Sequence, residues 1–197
     1  MNRRMAIGVA VTAALCWPVA AAEMSSAYTD LDTARDCAVL ESSQDEGDFV
    51  RMVCPGWRGY PVILSAGDLR ESVFYGFPPP GDLPWESFGP FNATGNKIEW
   101  RLETNGATVV PIATIHRWFV SDPEDDTQKT EVLVIEKVGQ LGERDGCAVG
   151  LVVATGNPKA NETARRIADE SVRDFACGAD ERLLVSGDVP LPSFERQ

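Results

Sequence analysis

The chain has 197 residues, with 18 lysines and arginines against 30 aspartates and glutamates and one histidine, a formal charge of −12 at pH 7. An acidic surface of this kind repels nucleic acid and anionic lipid, and a single histidine cannot build a metal site from histidine clusters. The charge keeps the chain soluble, and beyond that favours cationic partners or divalent ions.

At the start, Arg3 and Arg4 precede an almost unbroken apolar run from Met5 to Trp17, and Val19, Ala20, Ala21 and Ala22 follow before the first acidic residue, Glu23. This is the layout of a secretory signal peptide over residues 1–22, with small side chains at Ala20 and Ala22 suited to the peptidase. The apolar run is shorter than the roughly 20 residues that span a bilayer, and no later segment reaches that length, so no stable membrane anchor is expected. Cys16 follows Leu15, which is too bulky for lipoprotein processing, and it leaves with the signal. Removal of residues 1–22 leaves 16 basic residues against 30 acidic ones, a formal charge of −14.

The mature chain fits one domain, residues 23–186, followed by an extended tail over 187–197 that carries Pro190 and Pro192. It keeps Cys37, Cys54, Cys147 and Cys177. An even number of cysteines in an exported chain suggests a disulfide framework, and no C-x-x-C spacing supports a redox pair or a zinc knuckle. Four cysteines allow three connectivities. Order along the chain makes Cys37 with Cys54 and Cys147 with Cys177 the simplest, each bridge stabilising by roughly 3–4 kcal/mol.

In chain order, short β-prone runs between turn residues predict strands near 37–42, 49–54, 60–65, 69–76, 97–103, 109–120, 130–138 and 147–154. Ser65 to Asp68 reads as a tight hairpin, and Asn105-Gly106 turns another pair. Between them, residues 77–96 form a long loop in which Phe77, Trp85, Phe88 and Phe91 either cap one open end of the sheet or form a binding loop. After Gly156 the period changes. Asn157 and Pro158 supply an N-cap and first turn, and Ala164, Ile167, Ala168, Val172 and Phe175 recur at helical spacing up to Cys177. The fold expected is α+β: a largely antiparallel meander of about seven or eight strands covered by one C-terminal amphipathic helix, with a small closed β-barrel plus helix as the alternative.

Chemistry is harder to find. His116 shares a strand face with Thr114 and Trp118, while Arg117 falls between Ile115 and Phe119, either snorkelling to an edge or joining Arg101 in a carboxylate clamp. No G-x-S-x-G elbow accompanies the histidine, and no phosphate-binding glycine loop occurs. The acidic run at Asp122 to Asp126 fails the EF-hand pattern, because Thr127 stands where glycine is needed and Leu133 where the bidentate glutamate belongs. Glu99, Glu103 and Asp68 offer carboxylates at strand ends. No catalytic residue, metal ligand or cofactor is assigned.

Taken together and in this order, Cys54-Pro55-Gly56, Gly67 to Arg70, Ile98 to Arg101, Ala113 to Ile115 with Arg117-Trp118, and Asn161 to Asp169 before Phe175-x-Cys177 resemble a group of small exported proteins of alphaproteobacteria. The resemblance implies a periplasmic bacterial protein and carries no activity with it. The function expected is non-enzymatic: a periplasmic binding or interaction protein whose partner is a protein or small molecule, with Trp100, Arg101, Arg117 and Trp118 as its contact surface. A periplasmic hydrolase working through carboxylates is the alternative. N-terminal sequencing of the exported protein is expected to begin at or near Glu23, and a mature chain retaining Met1 would overturn the signal peptide.

Overall fold

Several strands of this chain are apolar on both faces, which a sheet with one solvated side does not need. The computed structural model describes residues 22–43, 48–125 and 127–197; all but the last residue of the expected signal peptide lies outside them. The strands are β1 (Glu23–Asp30), β2 (Ala38–Ser43), β3 (Phe49–Pro55), β4 (Pro61–Gly67), β5 (Arg70–Tyr75), β6 (Glu86–Phe88), β7 (Asn92–Asn105), β8 (Thr108–Ser121), β9 (Lys129–Lys137) and β10 (Ala148–Val153). The helix α1 (Ala160–Ser171) follows, then β11 (Leu183–Val185) and β12 (Phe194–Arg196).

The architecture is α+β in three layers. One sheet runs β1-β7-β8-β9-β10-β11, a second runs β2-β3-β4-β5, and β12 pairs with β6 in a short ribbon. Val62, Leu64, Val73 and Tyr75 of the smaller sheet pack against Ile98, Trp100, Trp118, Val132, Val134 and Leu151 of the larger one. The opposite face of the larger sheet, with Ile115, Leu133, Ile135, Val149 and Val152, is covered by α1. The single meander expected from the sequence is thus divided into two sheets, and no closed barrel forms among the described residues. The signal was present in Val132 to Ile135 and Val149 to Val153, continuous apolar runs of the sort that central, two-faced strands carry.

The two sheets also meet through main chain at one corner. Gly76 bridges Gly139, Gly139 N–H donates to the Tyr75 carbonyl at 2.9 Å, and Phe77 N–H donates to the Gly139 carbonyl at 2.9 Å. A β-carbon on Gly76 would lie 2.2 Å from the Gly139 carbonyl oxygen, and its φ of +89° is unfavourable for any other residue, so the approach requires glycine.

The helix is shorter than its apolar period suggests. Asn157 does not cap it; its Oδ1 accepts from Lys159 N–H at 3.0 Å in a turn that delays the start to Ala160. Regular helix ends at Ser171, and the chain then turns so that Val172 and Phe175 complete the buried stripe of Ala164, Ile167 and Ala168. Because α1 lies between β10 and β11, the chain returns parallel to β10, which only a crossover connection allows.

Cys37 is bonded to Cys54 and Cys147 to Cys177. The first bridge ties the edge strand β2 to β3, and the second fastens the segment after α1 to the start of β10. Among the described residues no helix is long and apolar enough to cross a membrane. Residues 187–197 run back over the domain, where β12 pairs antiparallel with β6 and Trp85 and Gln197 exchange main-chain hydrogen bonds. Phe175→Ala is expected to lower stability by roughly 3–5 kcal/mol in thermal melts with both disulfides intact, whereas Arg166→Ala on the exposed face costs about 0.5 kcal/mol or less.

Candidate functional site

Of the contact surface expected at Trp100, Arg101, Arg117 and Trp118, three residues are buried and Arg117 alone reaches solvent, in part. Alternation assigns the faces of the strands correctly, but both faces of this sheet are covered, so Trp100 and Trp118 are 0 % exposed in the core between the sheets. Trp100 packs edge-on against Tyr75 and donates its Nε1 proton to Thr29 at 2.8 Å, and Trp118 packs edge-on against Phe88.

The two arginines turn to the helix side and do not form one clamp. Arg101 is buried and gives a bidentate pair to Asp169 of α1 at 2.8 and 2.7 Å, with Ser26 and Glu99 beside it. Arg117 pairs instead with Glu131. Since Arg101 lies opposite Ala113, Arg117 stands four residues further along β8, about 13 Å away. Glu99 is the hub of this network, taking Arg165 at 2.6 and 3.1 Å and Ser26 at 2.6 Å. Burial works against its charge, but the hydrogen bonds from Arg165 and Ser26 and the guanidinium groups of Arg165 and Arg101 hold its pKa below the usual carboxylate range. Glu103 meets Arg173 in the same way. These carboxylates fasten α1 and the turn after it to β7, each held by an arginine.

His116 is fully buried between the sheets. Its Nε2 lies 2.7 Å from the Gly95 carbonyl and its Nδ1 2.6 Å from the Tyr75 hydroxyl. A carbonyl can only accept, so Nε2 carries the proton and Tyr75 donates to Nδ1. A bulge in β7 between Thr94 and Ile98 interrupts the ladder with β8 where Gly95 turns its carbonyl to the ring. Burial lowers the histidine pKa to about 4, the Gly95 bond opposing only in part. The ring is neutral and sealed, and it joins the two sheets.

A second polar group in the core is Glu136, which lies opposite Thr114 on β8 and Ala148 on β10. Burial, reinforced by the Glu86 charge and opposed by Arg182, pushes its pKa well above the usual range. Glu86 itself accepts from Ala148 N–H at 2.8 Å and from Arg182 at 2.6 Å, and Arg182 stacks over Phe194 of β12. Glu86 and Arg182 line a groove of about 730 Å³ beneath the C-terminal segment, and Glu136 does not reach it. Among the described residues no group of three histidine, cysteine, aspartate or glutamate side chains is placed to hold a metal ion.

The loop of residues 77–96 resolves into different parts. Phe88 is core, Phe77 and Trp85 are half-buried, and Phe91 stands 50 % exposed. Beside it is Leu69, 72 % exposed at the tip of the β4–β5 hairpin. Asn92 N–H donates to the Leu69 carbonyl at 3.1 Å, tying the two tips together, and a groove of about 770 Å³ runs between them. Leu69 does not stand out in the sequence because Ser65 to Asp68 reads as the hairpin, two residues before the observed turn, and Phe91 groups there with Phe77, Trp85 and Phe88, which are half-buried or buried. No protein-family model, no curated protein and no solved structure matches the chain.

The histidine sets a pH dependence. Its pKa is depressed on folding, so the stability it carries is full above about pH 6.5 and is lost as pH falls towards 4, on the order of 3 kcal/mol in all. Denaturant titrations at neutral pH and near pH 4 are expected to show this loss in the wild type and a shallower one in His116→Asn.

Proposed function

We propose that this is a bacterial periplasmic protein, of the kind represented by small exported alphaproteobacterial proteins, that works by binding another molecule and not by catalysis. The observation that carries this reading is a contrast. The histidine, the buried carboxylates and the core tryptophans are turned inward and held by partners or by packing, while Leu69 and Phe91 are held outward on backbone that is itself hydrogen-bonded. Catalytic acids and bases need access to substrate, and exposed apolar side chains on a rigid mount suit recognition. Two disulfides agree with an oxidising compartment, where such bonds persist.

A photo-crosslinking phenylalanine analogue placed at position 91 is expected to yield a defined higher-mass adduct in cells, and the same analogue at position 166 on the outer face of α1 is not. No adduct at position 91 above the level at 166 would sink this reading. The second reading, a carboxylate hydrolase, is favoured by Glu86 lining a groove with a raised carboxyl behind it. It requires turnover of an ester, amide or glycoside that Glu86→Gln abolishes.

A further inference from the structure

We infer that the end of the sandwich bearing Leu69 and Phe91 docks a basic, extended polypeptide segment that inserts an apolar side chain between them. This rests on the binding reading above and names its partner.

The hairpin is the first observation. Gly67 pairs with Arg70, leaving only Asp68 and Leu69 in the loop, and both have positive φ, 52° and 58°. This is the two-residue turn that favours Asn-Gly, because a β-carbon is sterically disfavoured at positive φ. Leucine is among the least suited residues there. Nor does burial compensate, since the side chain is 72 % exposed. Neither local conformation nor packing accounts for a leucine at this position; contact with something outside the molecule does.

The second observation is the mount. The Phe91 carbonyl accepts from Ser121 N–H at 2.8 Å, and the Leu69 carbonyl accepts from Asn92 N–H. Asn92 is buried, accepts from Glu71 N–H at 3.1 Å and donates to Ser87, Phe88 and Pro90 at 2.8–3.2 Å. Both anchors therefore project from fixed backbone and lose little freedom on binding.

Charge selects the occupant. The groove and the adjoining hollow beside Phe91 carry Asp48, Asp68, Glu71 and Asp122 against Arg70 and Lys129; Arg70 and Asp68 pair at 3.3 Å and offset each other, which leaves Asp48, Glu71 and Asp122 against Lys129. Glu124 extends the acidic rim at the β8–β9 tip. On a mature chain of −14 by sequence, this end repels anionic lipid and a second copy of itself, and attracts basic side chains flanking an apolar anchor.

The test uses the mature, disulfide-bonded protein and two sets of short synthetic peptides with the same Leu and Phe pattern, one rich in Lys and Arg, the other in Glu. Fluorescence anisotropy is expected to show binding of the basic set alone, weakened by salt and weakened about tenfold or more by Phe91→Ser and by Leu69→Gly. Leu69→Gly should melt no lower than wild type, which separates lost recognition from lost fold. The inference falls if the acidic set binds equally, if both variants bind like wild type, or if neither set binds. It also falls if phosphatidylglycerol vesicles bind through these residues, or if sedimentation shows self-association that Leu69→Gly abolishes. An adduct from position 91 without basic-peptide binding would leave the interaction reading standing and remove only this one.

Discussion

The hydrogen-bond chain from Tyr75 through His116 to Gly95 is the constraint around which the rest of the molecule is arranged. An imidazole with no access to water must find a donor and an acceptor inside the protein, and here they come from different sheets. Tyr75 comes from the smaller sheet. Gly95 comes from the neighbouring strand of the larger one, and only because the β7 ladder is interrupted there. Sliding either sheet by one residue would leave a buried ring nitrogen unpaired, so this contact sets the position of one sheet on the other more sharply than apolar packing can. The glycine approach at Gly76 and Gly139 is its steric counterpart at the corner.

On the other face the same division of labour recurs with charges. The small apolar stripe of α1 covers β8 to β10, and beyond its reach Arg165, Asp169 and Arg173 continue the contact as ion pairs to Glu99, Arg101 and Glu103 of β7. Apolar burial supplies most of the adhesion. The paired charges set the angle at which the helix lies and keep carboxylates that look available in the sequence occupied.

Much of this was legible in the amino-acid order. The eight longer strands after residue 37, the helical stripe and the consecutive cysteine pairing follow from period, turn residues and spacing, because each is decided within a short stretch of chain. What was not legible depends on the other layer. Alternation separates Trp118 from Arg117 but cannot say which face is covered when both are, so the buried tryptophans read as surface in the sequence. The strands β6, β11 and β12 have three residues each and exist through their partners, and β1 is too polar to carry a period. Glu86 and Glu136 lie far apart in sequence and meet only after the sheets close.

Neither disulfide joins the two sheets: Cys37–Cys54 closes inside the smaller sheet, and Cys147–Cys177 ties the larger sheet to the segment after α1. Each bond joins cysteines that are consecutive among the described residues, so a chain threaded through a membrane amino end first, as export would require, would present the two members of each pair in succession. A thiol oxidase acting in order of emergence would then make both bonds correctly, with no later exchange between sulfurs. In that order the first hairpin would be locked before the helix arrives, and the joining of the two sheets would be left to the non-covalent core.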